Sequence, residues 1–222
     1  SFAGYAFPKG HSASYAVESF QALYLKAYYP IEYMVATVNN GGGFFSREVY
    51  LHEAKLHGAD VRPPCVNASE SYTLVEGKTI WMGLHFVNGL EDAIIQQVVK
   101  ERLQNGDYQS FEDFLIRVPI SLDQLRLLVR VNGFDFTGES KSKLLWKAHL
   151  ALGSDKKNMP KATLFPVERK EYHIPEFAQS DLEKAYDHIE LLNFPLQFSH
   201  FDLVAEFPET KMVAADLPKY LG

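Results

Sequence analysis

Residues 83–138 carry two helix–turn–helix patterns in close succession, and this repetition constrains the fold more than any other feature of the chain. In the first, the turn at Asn88 and Gly89 precedes an apolar periodicity typical of an amphipathic helix at residues 94–103. In the second, a capping box at residues 121–124 starts a helix that ends at Asn132-Gly133, before another helical run at 143–152. The two units predict a tandem helix-hairpin-helix module.

A turn of this kind suits the backbone of a nucleic acid. It is expected to expose backbone N–H groups near a helix N-terminus, where they can bind a phosphate without reading any base.

The distribution of charge points to the second of these units. The net charge is −6, but residues 117–161 hold nine Lys and Arg against four Asp and Glu, between two acidic flanks. Distribution matters more than the sum for binding a polyanion, although such a block is also typical of a solvated surface. The cations are Arg117, Arg126, Arg130, Lys141, Lys143, Lys147, Lys156, Lys157 and Lys161.

Length and composition exclude several classes of protein. With 222 residues and 46% hydrophobic content, the chain can bury a core. No apolar run approaches the roughly 20 residues of a membrane helix, and no signal-peptide layout opens the chain, so a cytoplasmic protein with no membrane partner is expected. The single Cys65 cannot build a zinc site, and the eight histidines lack metal-ligand spacing, so no metal is expected.

The flanking regions are predicted to be mainly helical. A helix with apolar positions such as Tyr15 and Phe20 stops at Pro30, and a second short helix with its own buried stripe follows at 31–38. Other predicted elements are a flexible joint at 39–43, a helix at 47–57, a β-hairpin at 72–82, a short helix at 110–117, a linker at 153–179 and a helix at 180–192 with Leu182, Tyr186, Ile189 and Leu192 on one face.

An ordered series of motifs over nearly the whole chain resembles the bacterial DNA polymerase III alpha subunit, the C-family replicative DNA polymerase. The motifs are FPKGHSASYA at 7–16, LKAYYPIEYM at 25–34, EAKLHG at 53–58, RPPCVNAS at 62–69, the unit at 83–102, VNGFD at 131–135 and LLNFPL at 191–196.

The resemblance implies a mainly α-helical fold with a small β-hairpin and an extended C-terminal linker. Residues 1–82 match the C-terminal part of the polymerase fingers, and residues 83–152 match the tandem helix-hairpin-helix that contacts duplex DNA. Residues 153–180 match a linker with a clamp-binding peptide, and residues 181–222 a helix leading into an oligonucleotide-binding (OB) domain.

The resemblance also implies specific sites. Three residues would lie near the incoming deoxynucleoside triphosphate: Lys9, His11 and Ser12. Leu164 and Phe165 match the apolar pair of the sliding-clamp motif. The predicted contacts to duplex primer–template DNA are Asn88, Gly89, Arg130, Asn132, Gly133, Lys141 and Lys143.

Three positions depart from the family pattern. Lys161 stands where the clamp motif usually has Gln, Cys65 replaces the usual Asp, and Glu91 occupies the second Gly position of the first hairpin, where a carboxylate repels phosphate.

The paired catalytic carboxylates of the family belong to the palm, which precedes this segment. The chain is therefore expected to be a piece of a longer protein. It should be inactive alone and hold no cofactor, while the parent DNA-directed DNA polymerase would use Mg²⁺.

Two alternatives stay open. The helix-hairpin-helix pair could serve only as a scaffold that presents the linker peptide to a protein partner, without affinity for DNA. It could also belong to a free-standing DNA-repair protein that uses the same module.

Overall fold

The computed structural model describes residues 9–153 and 180–204. They form a mainly α-helical fold with a small sheet, as predicted. The α-helices are α1 Lys9–Tyr28, α2 Pro30–Asn39, α3 Arg47–Leu56, α4 Asp92–Asn105, α5 Phe111–Arg117, α6 Leu122–Arg130, α7 Lys141–Leu152 and α8 Asp181–Leu192. The strands are β1 Asp60–Arg62, β2 Leu74–Glu76 and β3 Thr79–Trp81, and 3₁₀ helices span Leu84–Phe86, Asp135–Thr137 and His200–Leu203.

The sheet joins the predicted β-hairpin to a strand that the sequence did not predict. β2 pairs antiparallel with β3 across the turn at Gly77, while β1 pairs parallel with β3 on its other side. The sequence predicts no element at residues 60–62. Their strand character comes from pairing with a segment almost twenty residues away, which local sequence does not encode.

Two hydrophobic cores lie side by side. The first packs α2, α3 and the sheet against residues 191–196, which comprise the end of α8 and the segment after it. Its members from α2 form the buried stripe predicted for that helix: Ile31, Met34, Val35 and Val38. The chain therefore returns to the first core after it has built the second.

The second core is formed by α4 to α7 and is centred on aromatic rings. Phe134, which lies in the second hairpin turn, contacts Phe111 and Phe114 edge-to-face at centroid distances of 5.0 and 4.9 Å. Tyr108 contacts Phe114 in the same way at 4.9 Å, and its hydroxyl donates to Val98 O at 2.8 Å. These contacts pack the second turn against α5.

Helix α1 packs against α2 and carries most of its apolar side chains in solvent. Phe20 is 75% exposed, and Tyr15, Leu23 and Tyr24 are also exposed. Among the residues described, no helix combines the length and the apolar character that a membrane crossing requires.

Candidate nucleic-acid interface

The first hairpin turn, residues 87–91, connects the 3₁₀ helix Leu84–Phe86 to α4. Gly89 occupies a left-handed conformation with φ of 82°. Gln124 of α6 holds the turn: its Nε2 donates to Gly89 O at 2.9 Å, and its Oε1 accepts from Glu91 N at 2.8 Å. The capping box predicted at 121–124 is therefore only half formed, since Ser121 caps α6 while Gln124 joins the two hairpin units.

Backbone donors are available in this first turn. The amides of Gly89, Asp92 and Ala93 donate to no acceptor among the described residues. Gly89 is exposed, whereas the side chains of Glu91 and Asp92 bring two carboxylates to the same surface. An anion can approach the Gly89 amide, but the neighbouring charges weaken the attraction.

The second turn, residues 131–135, uses its amides internally. Gly133 N donates to Leu128 O at 2.8 Å and Asn132 N donates to Val129 O at 3.2 Å, which is the hydrogen-bond pattern of a Schellman motif. The left-handed residue is Asn132, with φ of 72°, and Gly133 is buried. The amides of Asn132 and Gly133, two of the predicted DNA contacts, are therefore not free donors.

The Asn132 side chain is also engaged within the turn. Its Nδ2 donates to both carboxylate oxygens of Asp135, at 3.0 and 3.1 Å. Its Oδ1 is buried and has no hydrogen-bond partner in the described part of the chain. Burial raises the pKa of Asp135 although the Asn132 amide favours the charged form.

Helix α8 contacts both hairpin units. Asn88 N donates to Leu191 O at 2.7 Å, and Asn88 Nδ2 donates to Glu190 O at 2.9 Å. The carboxylate of the same Glu190 pairs with Arg130, the last residue of α6. Glu190 therefore contacts the first turn through its carbonyl and the second unit through its side chain.

A compact ion cluster secures α8 to the second unit. Asp187 lies 2.7 Å from an Arg130 nitrogen and 2.8 Å from Lys141 Nζ, and Lys141 also donates to Arg130 O at 2.7 Å. Hydrogen bonds to Glu190 and Asp187 raise the pKa of Arg130, whereas burial lowers the pKa of Lys141. Arg130 and Lys141 are thus committed to intramolecular partners.

The remaining described cations of the basic block are paired as well. Arg117 contacts Glu101 and Asp113, and Lys147 contacts Glu112 and Glu139. The more exposed ones also have carboxylate partners: Lys143 pairs with Glu139 at 3.0 Å and Arg126 with Asp123 at 3.9 Å. The expected strip of free positive charge is therefore not present over residues 117–147. Its other members, Lys156, Lys157 and Lys161, lie outside the described residues.

The other predicted site residues do not meet the hairpin turns in a described contact. Lys9 begins α1, where His11 and Ser12 are exposed. Leu164 and Phe165 lie outside the described residues. Within 9–153 and 180–204, no group of three or more His, Cys, Asp or Glu side chains could hold a metal ion.

Sequence reasoning did not identify Gln124, Asp187 and Glu190 as part of this arrangement. Gln124 stood in a capping-box pattern, and the two acids stood on a helix far along the chain. Their contacts span 33 to 102 residues of sequence, so no local signal reveals them.

Comparison with known proteins gives a consistent result. A family model described as a helix-hairpin-helix motif matches residues 58–144, which include both turns. The chain is 35% identical over 153 residues to the DNA polymerase III subunit alpha of Treponema pallidum. This match covers 67% of the chain and 13% of that relative. It is 30% identical over 209 residues to the same subunit of Borreliella burgdorferi, covering 90% of the chain and 18% of that relative.

An error-prone DNA polymerase of Mycobacterium tuberculosis is 29% identical over 213 residues, covering 92% of the chain and 19% of that relative. The chain thus spans between 13 and 19% of the length of these curated relatives.

Proposed function

We propose, from the premise that this chain belongs to the family of bacterial DNA polymerase III alpha subunits, that its two hairpin turns hold duplex DNA through the phosphate backbone. The observation that carries the proposal is the helix-hairpin-helix match over residues 58–144. Both turns fall within it, and Glu190 of α8 contacts Asn88 of the first turn and Arg130 just before the second. A surface that carries both turns together can follow one duplex across its phosphates.

Of the predicted DNA contacts, we propose Gly89 and Lys143 as the direct ones. Gly89 is exposed and its amide is available, and the Lys143 side chain is 43% exposed. A pair as exposed as Lys143 with Glu139 is weak enough to exchange its carboxylate for a phosphate. The other predicted contacts would shape the turns or attach α8 to them: Asn88, Arg130, Asn132, Gly133 and Lys141.

The parent protein would be a DNA-directed DNA polymerase acting on a primer–template duplex. Nucleotidyl transfer of this class uses Mg²⁺ held by carboxylates. The described residues contain no such carboxylate cluster. We further propose Lys9, His11 and Ser12 near the triphosphate of the incoming nucleotide and Leu164 and Phe165 as a sliding-clamp anchor.

An electrophoretic titration of the 222-residue chain with a short blunt duplex tests the DNA contact. Phosphate-dominated binding should weaken by orders of magnitude as salt rises from about 50 to about 200 mM, without preference for sequence. Lys143→Ala should weaken binding to every duplex alike and reduce the slope of log affinity against log salt by about one.

Lys26→Ala on α1 is the matched control, because it removes an exposed lysine away from both turns and should leave the slope unchanged. Absence of duplex binding, or binding insensitive to salt, would contradict the proposal and favour a scaffold without DNA affinity.

Clamp binding needs a separate test. Capture of the chain by an immobilised sliding clamp should be lost when Leu164 and Phe165 are both changed to Ala, because an apolar anchor pair would be removed. Equal capture of the double variant and the unchanged chain would eliminate this site.

A further inference from the structure

A row of aromatic rings lies at the surface directly ahead of the first turn. The rings of Tyr72 and His85 are in contact, with centroids 5.4 Å apart and planes tilted by 42°, and His85 contacts Phe86 at 6.1 Å. The Arg47 guanidinium carbon lies 4.7 Å from the centroid of the Phe86 ring. Tyr72 is 53% exposed and the His85 side chain 50% exposed, so two rings of this aromatic row face solvent, whereas Phe86 is buried.

The backbone just before Tyr72 is hydrogen-bonded to the 3₁₀ helix Leu84–Phe86. Leu84 N donates to Glu70 O at 3.0 Å and His85 N donates to Ser71 O at 2.9 Å. Gly83 permits this close approach, since a Cβ at position 83 would lie 2.7 Å from Ser71 O. The ring is therefore carried on a fixed loop, and a ligand that stacks on it orders little additional structure.

A cationic side chain and two further exposed aromatic rings lie close to the row in sequence or space. Arg47 has no carboxylate within salt-bridge distance among the residues described, so its charge is available to an anion. Phe44 and Phe45 precede Arg47 by three and two residues. Phe44 is 94% exposed and Phe45 is 56% exposed, and their ring centroids lie 5.1 Å apart. Exposed rings interleaved with a free cation are typical of surfaces that bind single-stranded nucleic acid.

We propose that the aromatic row binds single-stranded nucleic acid by stacking a base on Tyr72 and His85, with Arg47 near the adjoining phosphate. Nucleobases offer apolar faces that match exposed aromatic rings, and the guanidinium complements the phosphate. The row lies inside the region matched by the helix-hairpin-helix model and ends at the residue before the first turn. This proposal depends on the proposed duplex binding only through the adjacency of the row to the first turn, because base stacking does not require a duplex.

Fluorescence anisotropy of a labelled oligothymidylate, titrated with the 222-residue chain, tests the proposal. Tyr72→Ala should raise the dissociation constant roughly 5- to 100-fold, which corresponds to the loss of one stacked base. Tyr72→Phe keeps the ring and should bind like the unchanged chain. An oligonucleotide with abasic sites should bind the unchanged chain as weakly as oligothymidylate binds Tyr72→Ala.

Tyr186→Ala on α8 is the matched control, because Tyr186 is 59% exposed and lies outside the row. Equal binding by Tyr72→Ala and the unchanged chain, or equal binding of abasic and intact oligonucleotides, would overturn the proposal. So would a Tyr72→Ala defect that appears only as lost self-association in sedimentation, which would assign the row to contact between two copies.

The duplex titration separates this proposal from the preceding one. Retained oligothymidylate binding without duplex binding would contradict the duplex proposal and support the aromatic row. An equal loss of affinity for duplex and for single strand in Tyr72→Ala would contradict base stacking, since paired bases do not expose their faces. Thermal unfolding followed by circular dichroism checks that each variant is folded.

Discussion

The carboxylate of Asp187 lies 2.8 Å from Lys141 Nζ, and these two residues are 46 positions apart in the chain. Arg130 shares the same carboxylate. The lysine side chain is only 7% exposed, and the Asp187 carboxylate offsets the free-energy cost of burying its charge. This relationship attaches α8 to the second hairpin unit, and it determines which cations remain for a ligand.

Removal of the shared carboxylate should destabilise the fold. Asp187→Ala leaves Lys141 buried beside Arg130 without a counter-charge, and the free energy of unfolding should fall by about 3 kcal/mol. Urea denaturation measures this change. Lys143→Ala is the control, because an exposed pair contributes about 0.5 kcal/mol or less. Equal midpoints for the two variants would contradict the structural role of Asp187.

Gly83 should resist substitution for a steric reason. A Cβ there would lie 2.5 Å from Thr73 N and 2.7 Å from Ser71 O, both backbone atoms that cannot rotate away. Gly83→Ala should therefore cost about 2 kcal/mol or more of unfolding free energy. Gly10→Ala on α1 meets nothing within 4 Å and should stabilise its helix by up to about 1 kcal/mol. Chemical denaturation of both variants decides the point, and a neutral Gly83→Ala would refute it.

His188 should make stability depend on pH. Its side chain is fully buried, neither ring nitrogen has a hydrogen-bond partner among the described residues, and burial lowers its pKa to about 4. Lys141 and Lys184 also oppose protonation, while Asp187 favours it. Since the folded pKa lies below the unfolded value, the unfolded chain binds the proton first, and stability is lost as pH falls from about 6.5 towards 4.

Between pH 7 and pH 5, this single group should lower the free energy of unfolding by about 2 kcal/mol. Urea midpoints at the two pH values measure the loss. His188→Leu should remove most of the difference, whereas the same change at the exposed His149 should retain it. A pH dependence unaltered in His188→Leu would show that other groups cause it.

Asn132 should tolerate glycine better than alanine. Its φ of 72° is left-handed, which costs an alanine about 1 kcal/mol and costs glycine little. Both variants lose the hydrogen bonds to Asp135, so their difference isolates the backbone effect. We expect Asn132→Gly to unfold at a higher temperature than Asn132→Ala. The opposite order would indicate that the side-chain contacts, and not φ, select asparagine.

Short-range signals were sufficient for most helices and turns. Pro30 at the start of α2, Ser121 before α6 and Ser180 before α8 act as predicted, because capping depends on residues within one helical turn. The predicted β-hairpin is confirmed for the same reason, as its two strands are joined by a short turn. These elements needed no information from the rest of the chain.

Helix faces were less predictable where two apolar stripes competed. For α8, the sequence favoured a face with Leu182, Tyr186, Ile189 and Leu192, but Leu182 and Tyr186 are exposed. The structure instead buries Ala185, His188, Leu191 and Leu192. Residues 191–196 join the first core while Asp187 and Glu190 bind Arg130, and these two attachments set the rotation of the helix.

The amino-acid sequence by itself determined where helices start and stop and where two hairpin turns lie, and its order of motifs indicated a polymerase segment. Only the tertiary structure decided which donors and charges those turns leave available: the amides of the second turn close α6, and Arg130 and Lys141 face carboxylates of α8. Capping and turn formation act over a few residues, whereas charge pairing acts through space, between side chains that only the folded chain brings together.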